Sequence, residues 1–287
     1  ALGVNVFPGF PVDGLLVEAD RVVGVRTTPS GLDREGHPAR DHTPATDLTA
    51  RVTVLSEGTR GPLTQAFLDW QSVGSQNPQI FALGVKEMWE TRVPLDRVIH
   101  TMGWPLPGDA FGGSFMYPLD EGLIALGLVV GLDYQDARFD VHEVLQRMKS
   151  HPLFRPYLEG GEMVEWGAKT IPEGGYYSVP ERRHGNGVCV VGDAAGYVDV
   201  PSLKGIHYAM HSGILAARTI FQALKVGDVS ESGLRPYTEA VDTSYIMKDL
   251  KSTRNVRLAF KKGFAGGTLR AGLMTVYGGA IPGGKIS

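Results

Sequence analysis

The stretch Val188–Phe221 constrains the fold more than any other part of the chain. It opens with Val188–Val191, a run of apolar residues that predicts a buried strand. The strand leads into Gly192-Asp193-Ala194-Ala195-Gly196 and then into a proline-containing loop. From about Lys204 the pattern turns helical. Ile206, Met210, Ile214, Ala217 and Phe221 recur at spacings of three and four, which sets one apolar stripe down a helix.

An acid at a strand end, flanked by glycines, can hydrogen-bond a sugar-like hydroxyl. Gly205 stands where the backbone must approach something closely at a helix N-terminus, whose free N–H groups hold an electron-rich atom. A flavin offers both partners, a ribityl chain and the N1/O2 edge of its ring. The alternative is a plain strand–loop–helix connection whose glycines serve turn geometry alone.

With 287 residues the chain is long enough for one large domain or two of ordinary size. Its 43% hydrophobic and 21% charged residues exclude a disordered chain. A net charge of −3 argues against nucleic acid as the main partner. The single cysteine, Cys189, lies inside the predicted buried strand and reads as a core residue. One cysteine can neither close an internal disulfide nor hold an iron–sulfur cluster. No stretch approaches the ~20 apolar residues of a membrane span. The longest apolar run, Leu123–Leu132, is interrupted by glycine.

Residues 1–60 read as β-rich: a short strand at Val4-Asn5-Val6, a hairpin from Leu15–Ala19 and Arg21–Arg26, a polar loop over 28–46, and a strand over Asp47–Ser56. A helical stretch then runs to about Trp70. Ile80–Thr91, Val98–Trp104, Ser114–Tyr117 and Leu123–Leu132 read as antiparallel strands, because their connections are short. Residues 139–158 read as helix, Met163–Ile171 as strand, Pro172–Gly175 as a glycine turn and Leu234–Tyr245 as helix. The expected organisation is an α/β domain assembled from 1–79 and 165–245, with a mostly antiparallel segment, 80–164, inserted, and a C-terminal segment, 246–287.

Two further motifs are candidates for binding. In VTVLSEGTRGP, Val52–Pro62, a strand ends in Glu57-Gly58 before a helix, a turn that can bring N–H groups and a carboxylate near a dinucleotide or serve as a plain connection. In GWPLPGDAFGGSFMY, Gly103–Tyr117, aromatic residues surround Gly112-Gly113. Glycines there let a flat ring reach the backbone, so Phe111, Gly112 and Gly113 are candidates for quinone binding, against the alternative of an aromatic-lined hairpin. His207 and His211 share a helix face, but no acid accompanies them, which disfavours a metal site.

The strings GWPLPGDAFGGSFMYPLDEGLIALGLVVGLDYQD, HPLFRPYLEGGEMVEWGAKTIPEGGYYSVP and DVPSLKGIHYAMHSGILAARTIF together resemble the electron transfer flavoprotein–ubiquinone oxidoreductase family, in the family's order and over nearly the whole chain. The resemblance implies an FAD-dependent, glutathione-reductase-like α/β flavoprotein fold with an inserted antiparallel quinone domain. It implies an electron-transferring flavoprotein dehydrogenase that passes electrons from reduced electron transfer flavoprotein to ubiquinone or menaquinone. FAD contacts would fall at Glu57, Gly58, Gly192, Asp193, Gly205 and Ile206, and quinone contacts at Phe111, Gly112 and Gly113. The family is monotopic, so a peripheral site on a membrane surface is implied, bacterial or mitochondrial, with 246–287 membrane-proximal.

The family also carries an N-terminal G-x-G-x-x-G βαβ unit and a C-terminal ferredoxin-like domain with a [4Fe–4S] cluster. Neither has a match here, so the chain resembles the family's central part, with no ligands for the cluster. Ile206 stands where the family has a threonine, which removes a hydroxyl from the flavin edge and leaves the backbone contact. Other readings are a geranylgeranyl reductase or FixC-like flavoprotein and a non-catalytic quinone- or lipid-binding module.

Overall fold

The computed structural model describes residues 3–120, 122–260, 263–280 and 282–286. In chain order the first elements are β1 (Val12–Glu18), β2 (Arg21–Thr27), β3 (Ser30–Leu32), β4 (Pro38–Thr43), β5 (Asp47–Thr49), β6 (Thr53–Leu55) and α1 (Pro62–Trp70). Next come β7 (Phe81–Glu90), β8 (Ile99–Met102), β9 (Gly112–Pro118), β10 (Leu123–Gly131), α2 (Val141–Lys149), α3 (Arg155–Leu158) and β11 (Glu162–Pro172). The last are β12 (His184–Gly185), β13 (Val188–Val190), α4 (Ile206–Val226), α5 (Glu231–Thr243), α6 (Tyr245–Ser252), α7 (Val256–Ala259) and α8 (Phe264–Val276).

The chain forms two compact units. One comprises Ala1–Ser75, Pro180–Tyr197 and Gly205–Lys248; the other comprises Gln76–Val179, Val198–Lys204 and Asp249–Ser287. This differs from the division expected from sequence. Residues 165–172 belong to β11, which pairs with β7 along its length, from Glu162↔Glu90 to Pro172↔Phe81. Those pairings tie the segment to the antiparallel sheet. Residues 249–287 also fall in that unit.

In the first unit, β1, β2 and β5 make an antiparallel sheet, while β13 pairs in parallel with β6 and antiparallel with β12. The expected single strand over Asp47–Ser56 is therefore divided: Asp47–Thr49 pairs with β2 and Thr53–Leu55 with β13. The expected strand at Val4-Asn5-Val6 is not formed; those residues are exposed and find no ladder partner. The polar stretch expected as loop holds the β3–β4 hairpin. Val188, Cys189 and Val190 are fully buried, as a parallel strand covered on both faces requires. Burial pushes the Cys189 thiol up to about 12, so it is an inert core group.

The second unit is built on a five-stranded antiparallel sheet, ordered β11-β7-β10-β9-β8. Leu126, Leu128 and Val130 of β10 form its core with Val144, Leu145 and Met148 of α2 and with Phe154 and Leu158. The helix expected over 139–158 is two helices. Asp140 caps α2, its Oδ1 accepting from the His142 and Glu143 N–H groups at 2.8 and 3.0 Å. The turn at 150–154 separates α2 from α3.

Candidate functional site

In the first unit, β6 and β13 run side by side with Leu55 opposite Val190. The Val191 N–H donates to the Leu55 carbonyl at 3.0 Å. The turns that follow, Glu57-Gly58 and Gly192-Asp193, thus leave the same C-terminal edge of a parallel pair. In open α/β sheets this edge is where ligands bind.

Gly192 has a φ of +61°, and a Cβ on it would lie 3.1 Å from the Ala209 Cβ of α4. Only glycine fits both demands without strain. Its N–H donates to the Ser212 hydroxyl at 3.0 Å, which fastens the turn to the helix. Asp193 is half-buried in the short 3₁₀ turn Gly192–Ala195. Beyond it, the buried Arg183 donates to the Tyr197 hydroxyl at 3.1 Å and pairs with Asp242, so the turn leaves from a fixed frame.

Glu57 is held differently from a free ligand. Its Oε1 accepts from the Leu63 N–H at 3.1 Å, and its Oε2 from the Thr64 N–H and hydroxyl at 2.6 and 2.8 Å. The carboxylate caps the N-terminus of α1, where the helix dipole favours a negative charge. Gly58, at φ +74°, has open space beside it.

Gly205 caps α4 without a side chain, so no side-chain cap bond covers the first turn of the helix. Ile206 is 79% exposed and Met210 65%, and Ile214 and Phe221 are also exposed. The apolar stripe of α4 therefore lies on the open face. The buried face is made by Tyr208, Ser212, Ala216 and Ala223.

In the second unit, Gly112 and Gly113 open β9. A Cβ on Gly112 would come 2.0 Å from the Val129 carbonyl oxygen, and one on Gly113 2.0 Å from that of Thr101. The close approach that these glycines permit is therefore already taken by β10 and β8. Next to them, Phe111 packs edge-on against Phe260, with ring centroids 5.0 Å apart. The Arg257 guanidinium sits 4.5 Å from the Phe111 ring centre. Asp109, Phe111, Asp133, Gln135, Arg257 and Phe260 line a cavity of about 420 Å³. Its size suits a single-ring head group. A larger cavity of about 720 Å³, lined by Val85, Leu145, Met163 and Trp166, lies between β7, β11 and α2.

Beside the smaller cavity is a charge cluster, buried at Glu173 and Arg257 and exposed at Asp133, that no local sequence pattern marks. Arg257 donates through Nε to Glu173 Oε2 at 3.0 Å and through a terminal nitrogen to Asp133 at 2.5 Å. Glu173 is fully buried, and its Oε1 has no hydrogen-bond partner. Burial pushes its carboxyl up to about 7 against the opposing pull of Arg257, and Asp133 adds to the rise. A Cβ on Gly131 would sit 2.7 Å from Arg257 and 3.1 Å from Glu173, so glycine makes the room.

Among the described residues no group of three or more His, Cys, Asp and Glu side chains is placed to hold a metal ion. No described helix is long and apolar enough to cross a membrane.

Solved structures share the backbone arrangement. A geranylgeranyl bacteriochlorophyll reductase-like protein from Thermoplasma acidophilum superposes with a TM-score of 0.70 at 18% identity, over 93% of this chain and 61% of that one. The flavin-dependent brominase Bmp2 superposes with a TM-score of 0.58 at 17% identity, over 93% of this chain and 64% of that one. These likenesses establish the fold. Residues 81–171 match the family model described as ETF-QO, ubiquinone-binding. The mitochondrial electron transfer flavoprotein-ubiquinone oxidoreductase of Oryza sativa is 39% identical over 93% of this chain and 47% of its own length. The human protein of the same name is 38% identical over 98% of this chain and 46% of its own. The chain spans about half the length of these relatives. Over nearly its whole length the chain is thus similar to part of the electron transfer flavoprotein-ubiquinone oxidoreductases, and residues 81–171 match their ubiquinone-binding model.

Proposed function

We propose that the protein containing this chain is a flavin-dependent oxidoreductase that takes electrons from reduced electron transfer flavoprotein and delivers them to a ubiquinone-type quinone. The observation that carries this reading is the similarity to proteins of that name over 93–98% of the chain, with the ubiquinone-binding model falling on 81–171.

The residues of the first unit fit an FAD. Gly58 leaves open space at the C-terminal edge of β6, the Gly192-Asp193 turn stands at the same edge, and α4 begins without a side-chain cap. In this reading the Asp193 carboxylate accepts from ribityl hydroxyls. The N–H groups of Ile206 and its successors stabilise negative charge at the N1/O2 edge. The Ile206 side chain supplies apolar contact only. Glu57 acts by fixing α1, not by touching the cofactor. When bound, FAD supplies the one- and two-electron chemistry.

The quinone head group is assigned to the cavity beside Phe111. Phe111 and Phe260 offer ring faces and Arg257 offers donors to a quinone carbonyl. Gly112 and Gly113 shape the site through strand packing. A peripheral membrane location, with the donor flavoprotein docking from the aqueous side, fits the exposed Leu269, Leu273 and Val276 along one side of α8.

The test is the flavin content of the intact protein with Asp193→Ala. A lower flavin-to-protein absorbance ratio after dialysis, with the apoprotein still folded by circular dichroism, is expected. An unchanged ratio removes Asp193 from the flavin site.

A further inference from the structure

Two buried carboxylates in the second unit show opposite behaviour, and the contrast identifies a functional group. Glu87 is saturated: Lys149 donates to both of its oxygens at 3.0 and 2.7 Å, Trp89 Nε1 at 2.7 Å and Gln146 at 3.2 Å. Burial alone would raise it, but these donors outweigh burial and hold it below the usual carboxylate range. Glu173 is as deeply buried, yet it has one donor, Arg257, on one oxygen and nothing on the other. A structural ion pair would be completed, as Glu87 is.

Arg257 connects Glu173 to the cavity. It touches Glu173 on one side and Asp133 on the other, and it faces the Phe111 ring. With both acids ionised, two negative charges face one arginine and the cluster carries a net charge of −1. With Glu173 protonated it is neutral. Negative charge appearing in the cavity competes for Arg257 and leaves Glu173 poorly compensated.

We propose that Glu173 is the proton-binding group coupled to charge on a ligand in the Phe111–Arg257 cavity, taking up a proton when the ligand becomes anionic. This rests on reading the cavity as a quinone site. Reduction of a quinone to a quinol consumes two electrons, supplied by a reduced flavin, and two protons. As the carbonyl oxygens gain electron density, Glu173 Oε1 binds one proton from solvent and so keeps the cluster's charge balanced. Both protons of the quinol come from solvent; once the neutral quinol has formed, the negative charge in the cavity is gone and Glu173 releases its proton. Glu173 is a positioning and charge-balancing residue; Arg257 is the one that would meet the ligand.

The experiment uses the full-length protein and two probes, 2-hydroxy-1,4-naphthoquinone, an anion at neutral pH, and its neutral 2-methoxy ether. Binding is followed calorimetrically in buffers of different ionisation enthalpy, which counts the protons taken up. The parent is expected to take up protons with the hydroxy compound and none with the ether. Glu173→Gln should bind both and take up none with either. Equal proton uptake in parent and Glu173→Gln overturns the coupling but leaves the cavity standing. Absence of binding to the parent, or binding untouched by Phe111→Ala, overturns the cavity assignment and the coupling with it. Infrared spectroscopy gives an activity-free check. A buried carboxyl band should vanish as pH rises through about 7. It should be missing in Glu173→Gln and shift to lower pH in Asp133→Asn, since removing Asp133 removes a charge that raises Glu173. A band unmoved in Asp133→Asn also counts against the proposal.

Discussion

Leu55 and Val190 face each other across the parallel pair β6–β13. That one register relation sets the Glu57-Gly58 turn beside the Gly192-Asp193 turn, although nearly half of the chain separates them in sequence. The flavin reading of the first unit depends on it, because neither motif is specific by itself.

Glu57 illustrates how the two turns differ in role. Its carboxylate holds three donors at the start of α1. Glu57→Gln keeps the size but loses the charge and part of the acceptor capacity. Urea unfolding should show a loss of about 1–2 kcal/mol. A stability equal to the parent's, combined with a changed flavin spectrum, would reassign Glu57 to the cofactor.

Gly113 is expected to be intolerant for a reason unconnected with any ligand. A side chain there collides with the Thr101 carbonyl. Gly113→Val should separate β8 from β9 and cost roughly 3 kcal/mol or more, seen as a lower thermal midpoint before any quinone is added. A variant of parental stability that had lost quinone turnover would restore a direct ligand role for this glycine.

Glu173 should leave a signature in the pH dependence of stability. Its folded value, about 7, lies above its ordinary 4.5. Between those values the folded chain holds a proton that the unfolded chain has released. The contribution is therefore present below pH 4.5 and is lost as pH rises through 7. Measured as parent minus Glu173→Gln, the stability difference should fall by about 3 kcal/mol over that window. A difference independent of pH would mean that Glu173 is ionised throughout.

Much of this architecture was legible in the sequence because it rests on local pattern. The apolar run Val188–Val191, the glycine turn after it and the helical spacing from Ile206 onward each predict the element that forms. So do the alternating stretches that become β7 to β11. What was not legible depends on which surface meets which. The stripe of Ile206, Met210 and Phe221 has the spacing of a core-facing helix, but spacing does not say what covers it, and here Tyr208, Ser212 and Ala216 face inward. Pro172–Gly175 read as a turn, and no local pattern singles out Arg257. Their meeting with Asp133 spans sequence separations of 84 and 124 residues, beyond the reach of any local rule.

The central claim is that quinone is reduced beside Phe111. Stopped-flow reoxidation of the reduced full-length protein by a short-chain ubiquinone tests it most directly, comparing parent, Phe111→Ala and Trp166→Ala, the last in the larger cavity. Loss of the edge-on contact with Phe260 and of the Arg257 stacking surface should slow reoxidation about tenfold or more in Phe111→Ala. Reduction by the donor flavoprotein should stay at the parental rate, and Trp166→Ala should match the parent throughout. Parental quinone kinetics in Phe111→Ala, with the loss appearing in Trp166→Ala instead, would contradict the account and move the quinone to the other cavity.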